Sequence, residues 1–307
     1  MHTPLTITRE LNVKILILGL LSAWALNAQA ELKVVTTTTT LENLVQEIGQ
    51  DKVDVSSLTK SNQDPHFVEA KPSYMVKLRQ ADLLVSVGLD LEVGWIGNVQ
   101  RGAKNPTLLK GSKGFFAAGD HIEAIDIPEG KLDRAEGDVH PLGNPHFHLD
   151  PIKTISVVEA LAIKLGELDS ANAEFYQRRA ADYAKTLKEK MKDWESRITK
   201  SQVNNVITYH KSLSYFLRRF DLDVVASIEP KPGIPPTAKH IISLIKLVKQ
   251  KNVKCILNEN YFETTAGERI KGVTQASLQI VPVEVQTDYF DLIESLVTAV
   301  ENCGKGV

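Results

Sequence analysis

Aromatic residues are scarce in this chain, at 6% of the composition, and neither charge sign dominates: 36 Lys and Arg stand against 38 Asp and Glu in 307 residues. With no basic stripe, binding of nucleic acid through its phosphates is disfavoured. With few aromatics, platforms for stacking bases or sugars are lacking. No H-E-x-x-H helix motif is present, and no internal repeat is visible. Ile15 to Leu26, the apolar run near the start, is shorter than the roughly 20 residues a membrane span requires. Only two cysteines occur, Cys255 and Cys303.

What is present begins with that apolar run. Arg9 and Lys14 precede it and Ala28-Gln29-Ala30 follows, the layout of a secretory signal with a small-residue cleavage site. We expect residues 1–30 to be a signal peptide cleaved after Ala30, rather than a buried N-terminal helix. No cysteine follows the cleavage site, so no lipid anchor is expected, and the mature chain should be soluble and periplasmic. Two adjacent thiols in such an oxidising compartment usually pair; two inert free thiols are the alternative.

The mature chain alternates strand and helix signals, which implies parallel βαβ units. Leu32–Thr36, Val53–Val55 and Leu83–Gly88 read as strands, and Leu41–Ile48 and a stretch opened by Pro72 read as helices. From about Gly111 to Pro145 periodicity is lost, and a long surface loop is expected. Asp169-Ser170 is a candidate cap for a helix from Ala171 to about Thr199. Its apolar residues Tyr176, Ala180, Tyr183, Leu187, Met191, Trp194 and Ile198 form one stripe. At 1.5 Å per residue it would reach about 43 Å, enough to join two lobes. After it come strands at Asn205–Thr208, Val224–Ala226, Cys255–Leu257 and Gln279–Val285. Helices are expected over His210–Phe220, over Thr237–Gln250 with Thr237 as N-cap, and over Asp288–Val300. The expected fold is α/β: two Rossmann-like lobes with mostly parallel sheets, residues 31–168 and 201–307, joined by one long rigid helix over 169–200.

Three of the eight histidines stand just past candidate strands: Asp64-Pro65-His66, Asn144-Pro145-His146 and Thr208-Tyr209-His210. Their separation rules out a local zinc-finger loop, so they can share a ligand only across a folded cleft. Strand ends of α/β sheets are where ligands are held. Neutral imidazole suits zinc, copper, iron or nickel, whereas manganese and calcium prefer more oxygen. Three imidazoles and one oxygen at about 2.0–2.2 Å match zinc best. The prolines stiffen the backbone ahead of two of these histidines.

Four segments occur in order: DPHFVEAKPS at Asp64–Ser73, NPHFHLDP at Asn144–Pro151, ITYHKSLSYFLRRFDL at Ile207–Leu222 and PKPGIPPTAKHI at Pro230–Ile241. Together with the export signal they resemble the zinc/manganese-type solute-binding proteins of bacterial ABC transporters, over essentially the whole mature chain. The resemblance implies two lobes joined by a rigid helix, one metal in the cleft, and His66, His146 and His210 as its ligands. It also implies a disulfide between Cys255 and Cys303, as several zinc-type members carry one at matching places. The chain departs from the family in three ways. The His-rich acidic loop is reduced to Asp120, His121, Asp138 and His140. His148 stands where an aromatic is commoner. The last strand lacks the Thr-Asp-Ser that supplies an aspartate in manganese-type members.

The fourth ligand is therefore open among Asp288, Glu259, Glu69 and water. Asp288, at the junction of the last strand and helix, is the first carboxylate choice, with helix N-capping as its alternative role. Glu259 has an ion pair with a lysine such as Lys211 as its alternative. His148 should lie on the same side of an extended segment as His146, either binding a second metal or buried with a hydrogen bond. His121 and His140 are expected as solvated loop residues, with weak ferrying of metal as the alternative. A rival reading as a zinc hydrolase rests on H-x-H-x-D at residues 146–150. Pro151 speaks against it, because that pattern wants a further histidine there. The expectation is a monomeric, non-enzymatic periplasmic receptor that delivers Zn2+ to an inner-membrane ABC permease, with Mn2+ or another divalent metal as the alternative cargo.

Overall fold

A computed structural model of the chain describes residues 31–128 and 140–305. The expected signal peptide, its cleavage after Ala30, and Asp138 lie outside the described residues. Two four-stranded sheets organise the rest. Leu32–Thr36 (β1), Val53–Ser57 (β2), Leu83–Ser86 (β3) and Phe115–Ala117 (β4) make the first, in the order β2-β1-β3-β4 with every pair parallel. Asn205–Thr208 (β5), Asp223–Ser227 (β6), Cys255–Glu259 (β7) and Ser277–Val281 (β8) make the second, ordered β6-β5-β7-β8 and again all parallel. Helices cover both faces of such sheets, so central strands are apolar throughout; all residues of β3 and of β7 are buried.

The repeated strand order places a topological switch point between β1 and β3, and another between β5 and β7. The carboxyl ends of strands at such points form a crevice for ligands. Helix Thr39–Gly49 (α1) starts at the first of these ends, capped by the Thr38 side chain, which accepts from the Leu41 amide. Pro72–Gln80 (α2) and Ile96–Ala103 (α3) complete the first layer.

Ala173–Ser201 (α5) is the long helix, 29 residues, and its seven-residue apolar stripe is buried throughout. It packs on α1 and on Pro151–Leu168 (α4) from the first half, and on Tyr289–Lys305 (α9) from the second. One continuous apolar core therefore includes Val34 and Val85 of the first sheet, Leu187 and Trp194 of α5, and Leu257 of the second sheet. The lysines between residues 185 and 192 face solvent.

Several details differ from the sequence reading. The region Gly111–Pro145 is not all loop, since β4 pairs with β3; three residues beside Gly114 and Gly119 carry too little periodicity to register. Helix α4 was not read at all, although Asp150 caps it by accepting the Ile152 amide and Pro151 opens its first turn. Asp169 does not cap α5, because Asn172 Nδ2 and the Tyr176 hydroxyl donate to its Oδ2 at 2.6 and 2.7 Å. The last strand stops at Val281 rather than Val285. Thr237 does cap its helix, Ala238–Lys251 (α7), by accepting from the His240 amide. Ser214–Arg219 (α6) and Thr265–Lys271 (α8) are short. Cys255 and Cys303 are bonded, tying β7 to the end of α9 with Cα atoms 5.1 Å apart.

Candidate metal centre

Two of the three strand-end histidines are presented by the same local device. In Asp64-Pro65-His66 the Asp64 Oδ1 accepts the His66 amide at 3.0 Å, and in Asn144-Pro145-His146 the Asn144 Oδ1 accepts the His146 amide at 3.0 Å. These are Asx turns, in which a short polar side chain folds the backbone two residues on. The first is pinned from below by the Trp95 indole, which donates to the Pro65 carbonyl at 2.9 Å. The second is pinned by Tyr215, whose hydroxyl donates to the Asn144 carbonyl at 2.9 Å. His210 follows β5 directly, at the second switch point, and its amide faces the Glu259 carboxyl that ends β7.

The ring nitrogens of His66, His146 and His210 come within 4.8 Å of one another. A tetrahedral zinc with nitrogens at 2.0–2.1 Å spaces them about 3.3 Å apart, inside that limit. Two rings are oriented by carboxylates: His66 Nδ1 lies 2.6 Å from Asp64 Oδ1, and His210 Nδ1 lies 2.6 Å from Glu229 Oε2. That arrangement places the proton on Nδ1 and turns Nε2 inward as a lone pair, the tautomer a metal needs. The Glu229 carboxylate is itself held by the Gly233 amide at 2.7 Å, in the proline-rich loop. His146 is 2% exposed, and its Nε2 is buried without a hydrogen-bond partner among the described residues. Leaving a buried polar atom unpaired costs about 1–3 kcal/mol; a cation at the centre of the three rings removes that cost.

The surroundings of His146 favour its neutral form. Burial, and then the like charge of His66 and His210, holds the His146 ring well below its usual 6.5. Burial raises Asp64, but hydrogen bonds and charge from His66 overcome it and hold the carboxyl low. Glu259 is fully buried, and burial pushes it up to about 8 against its backbone hydrogen bonds, so near neutral pH it is largely protonated. Beside the histidines a cavity of about 460 Å3 opens past Asn144, Lys211, Glu229 and His240.

The other candidates fall elsewhere. Asp288 Oδ1 accepts the Asp291 amide at 2.8 Å as the N-cap of α9, apart from the three histidines. Glu69 is exposed. Glu259 faces the His210 backbone rather than Lys211. His148 lies in a 3-10 turn, Phe147–Leu149, not on an extended segment; it is buried, with Nε2 2.7 Å from the Val283 carbonyl. His121 is exposed and stacks on Phe116 at 4.6 Å. His140 departs from its expected place as a solvated loop residue. Its Nε2 lies 3.0 Å from that of His66, and burial, with like charge from His66 and His210, pulls the ring down to about 3.

Sequence reasoning also missed Glu284, buried between the halves. Its Oε2 accepts the Thr40 amide at 3.1 Å and the Thr40 hydroxyl at 2.5 Å, and Oε1 lies 3.7 Å from His148 Nε2. Thr39 donates to the Val285 carbonyl, and the Tyr289 amide donates to Asn43. The only available signal was a run of Thr residues at the end of β1, which propensity alone reads as strand.

Two doubly wound parallel sheets, with one long helix packed on elements of both halves, bring three histidines together at their strand ends, a group that could hold a metal ion. The chain belongs to the ZnuA family, zinc-uptake complex component A, periplasmic, which it matches over residues 34–303. It is 28% identical over 251 residues to the zinc-binding protein AdcA of Streptococcus pyogenes serotype M3, covering 79% of this chain and 48% of AdcA. The chain thus spans about half the length of that relative. It is 26% identical over 261 residues to the manganese ABC transporter substrate-binding lipoprotein PsaA of Streptococcus pneumoniae, covering 84% of this chain and 80% of PsaA. A crystal structure of ZnuA shares the fold at a TM-score of 0.73 and 22% identity, over 90% of this chain and 99% of that one. The family is one of uptake components, not hydrolases. The H-x-H-x-D segment has other uses here: His148 turns to Val283, and Asp150 caps α4 while binding Arg219 through two oxygens at 2.8 and 2.9 Å.

Proposed function

We propose that this chain is an exported receptor that binds one Zn2+ through His66, His146 and His210 and hands it to an ABC permease in the inner membrane. The observation that carries the reading is the buried, unpartnered Nε2 of His146, aimed at the space that His66 and His210 also face. Three neutral nitrogens favour zinc over manganese, and the zinc-binding relatives point the same way. Cleavage after Ala30 would release a soluble monomer to the periplasm, with residues 31–168 and 201–307 as lobes and 169–200 as the connecting spine. The Thr40–Glu284 seam and the Arg219–Asp150 pair limit lobe movement. Release of the ion then proceeds by loosening of ligand loops when the receptor docks.

The second reading, manganese as cargo, draws on the likeness to PsaA. Metal analysis of protein purified from periplasm, followed by competition between Zn2+ and Mn2+, decides between them. Zinc at one per chain that manganese cannot displace supports the proposal. Stoichiometric manganese, or no bound metal at all, overturns it.

A further inference from the structure

The cavity beside the histidines is larger than a bare ion requires. It measures about 460 Å3, and both His146 and His210 line it. Clefts that hold small organic ligands run from about 300 to 1,000 Å3, whereas a bare ion needs little more than the space between its donor atoms. Pro145, Pro230 and Pro232 stand in the walls. Their fixed φ stiffens those stretches, so the space is formed before anything enters it and little ordering is required on binding.

The charges on the wall favour an anion. Asp126 lies 3.1 Å from the Arg218 guanidinium and accepts from Asn144 Nδ2 at 3.4 Å. Glu229 accepts the Gly233 amide and faces His210 Nδ1. Both carboxylates of the wall are therefore engaged. Lys211 directly follows His210, is exposed, and its ammonium has no hydrogen bond or ion pair among the described residues. Lys231 stands on the same wall. An ammonium near a divalent cation is repelled by it, and an anion lying between the two attracts both.

The metal has a matching need. A closed tetrahedral zinc site takes four donors, and no carboxylate of the described residues joins the three histidine nitrogens. Asp288 caps a helix, Glu69 is exposed, and Glu259 faces the His210 amide. The missing oxygen comes from water or from a small anion, and the spare positive charge at Lys211 favours the anion.

We propose that the cavity holds a small carboxylate chelator that arrives with the metal: one carboxylate oxygen completes the shell of three imidazoles, and the rest of the anion lies in the cavity against Lys211. The proposal rests on the metal-receptor reading above. The cargo is then a metal–carboxylate complex, and the proline walls limit the size of chelator admitted.

Equilibrium dialysis of the full-length mature protein tests this, with radiolabelled citrate in one arm and radiolabelled L-histidine in the other, each offered with and without zinc. About one label retained per bound zinc in at least one arm, and far less without zinc, is the expected result. Retention of citrate names a polycarboxylate as the source, and retention of histidine names an amino acid. Lys211→Met removes the ammonium and Ala226→Leu narrows the cavity. Each should weaken retention of the label on zinc-loaded protein about tenfold, the scale of one charge-assisted hydrogen bond. The readout is label per bound zinc, so a variant that takes up less zinc still counts, and a loss in either variant supports the proposal. Zinc bound with neither label, or retention unchanged in both variants, overturns the proposal and leaves the receptor reading standing. A wild-type protein that binds no zinc overturns both.

Discussion

Asn144 donates from Nδ2 to the Lys211 carbonyl at 2.9 Å while its Oδ1 holds the His146 amide. One side chain thus ties the loop that follows β5, with His210, to the turn that presents His146. Replacement by Asp keeps the turn acceptor but loses the donor and faces a carboxylate toward a carbonyl. Asn144→Asp is expected to weaken zinc binding about tenfold, the usual scale for a group orienting a ligand, with little change in melting temperature. Competition against a chromophoric chelator measures it; wild-type affinity would remove Asn144 from any orienting role.

On the proposed site, a water would not replace a lost histidine without loss of affinity. His66→Ala, His146→Ala and His210→Ala should each reduce zinc affinity by more than about tenfold. His146→Ala should also raise the stability of the metal-free protein, because it removes the unpaired buried nitrogen, in part offset by the cavity it leaves. Titration calorimetry and thermal melts without metal read the two effects separately.

Asp288 tests the carboxylate alternative. As the N-cap of α9 it should tolerate Asp288→Asn, with zinc affinity within about twofold, since Asn caps as well as Asp. Asp288→Ala should cost about 1 kcal/mol of stability, again with affinity unchanged. A large loss of affinity in Asp288→Asn would return the aspartate to the metal.

Acid should weaken the metal-free fold. His146 is held well below 6.5, and His140 is pulled down to about 3. Below 6.5 the unfolded chain takes up protons that these rings refuse in the fold, so stability falls as pH falls. By pH 5 the His140 shift alone accounts for up to about 2 kcal/mol. Melts of metal-free protein at pH 7.5 and pH 5 should show the drop, and His140→Gln should lessen it. An equal drop in His140→Gln would show that other groups dominate.

The bond between Cys255 and Cys303 joins residues 48 apart in sequence. Such a cross-link contributes about 4 kcal/mol on the chain-entropy model. Cys303→Ser is expected to lower the melting temperature by several degrees without altering zinc affinity, because Cys255 begins β7 while Glu259, at its other end, is the residue that faces His210.

Much of this architecture was legible because it depends on period. The stripe from Tyr176 to Ile198 and the short β-branched runs declare helix and strand wherever they fall. The strand-end positions of His66, His146 and His210 followed from the same patterns plus the stiff Asx-Pro preludes. What stayed hidden depends on tertiary contact. Strand β4 is three residues long and is a strand only because β3 runs beside it. Asp169 looked like a cap, but the hydroxyl of Tyr176 two turns on competes for it. His140 looked solvated because the loop before it is polar, and nothing local announces that Leu89 and His66 wait for its ring. Glu284 reads as a surface residue until Thr40 is brought to it from the far end of the chain.

The seam formed by Thr39, Thr40 and Asn43 against Glu284, Val285 and Tyr289 also sets a clock. On the receptor reading proposed above, the seam leaves the ligand rings as the parts that turn to admit an ion, and with His146 and His210 buried that turning is not the picosecond-to-nanosecond motion of exposed side chains.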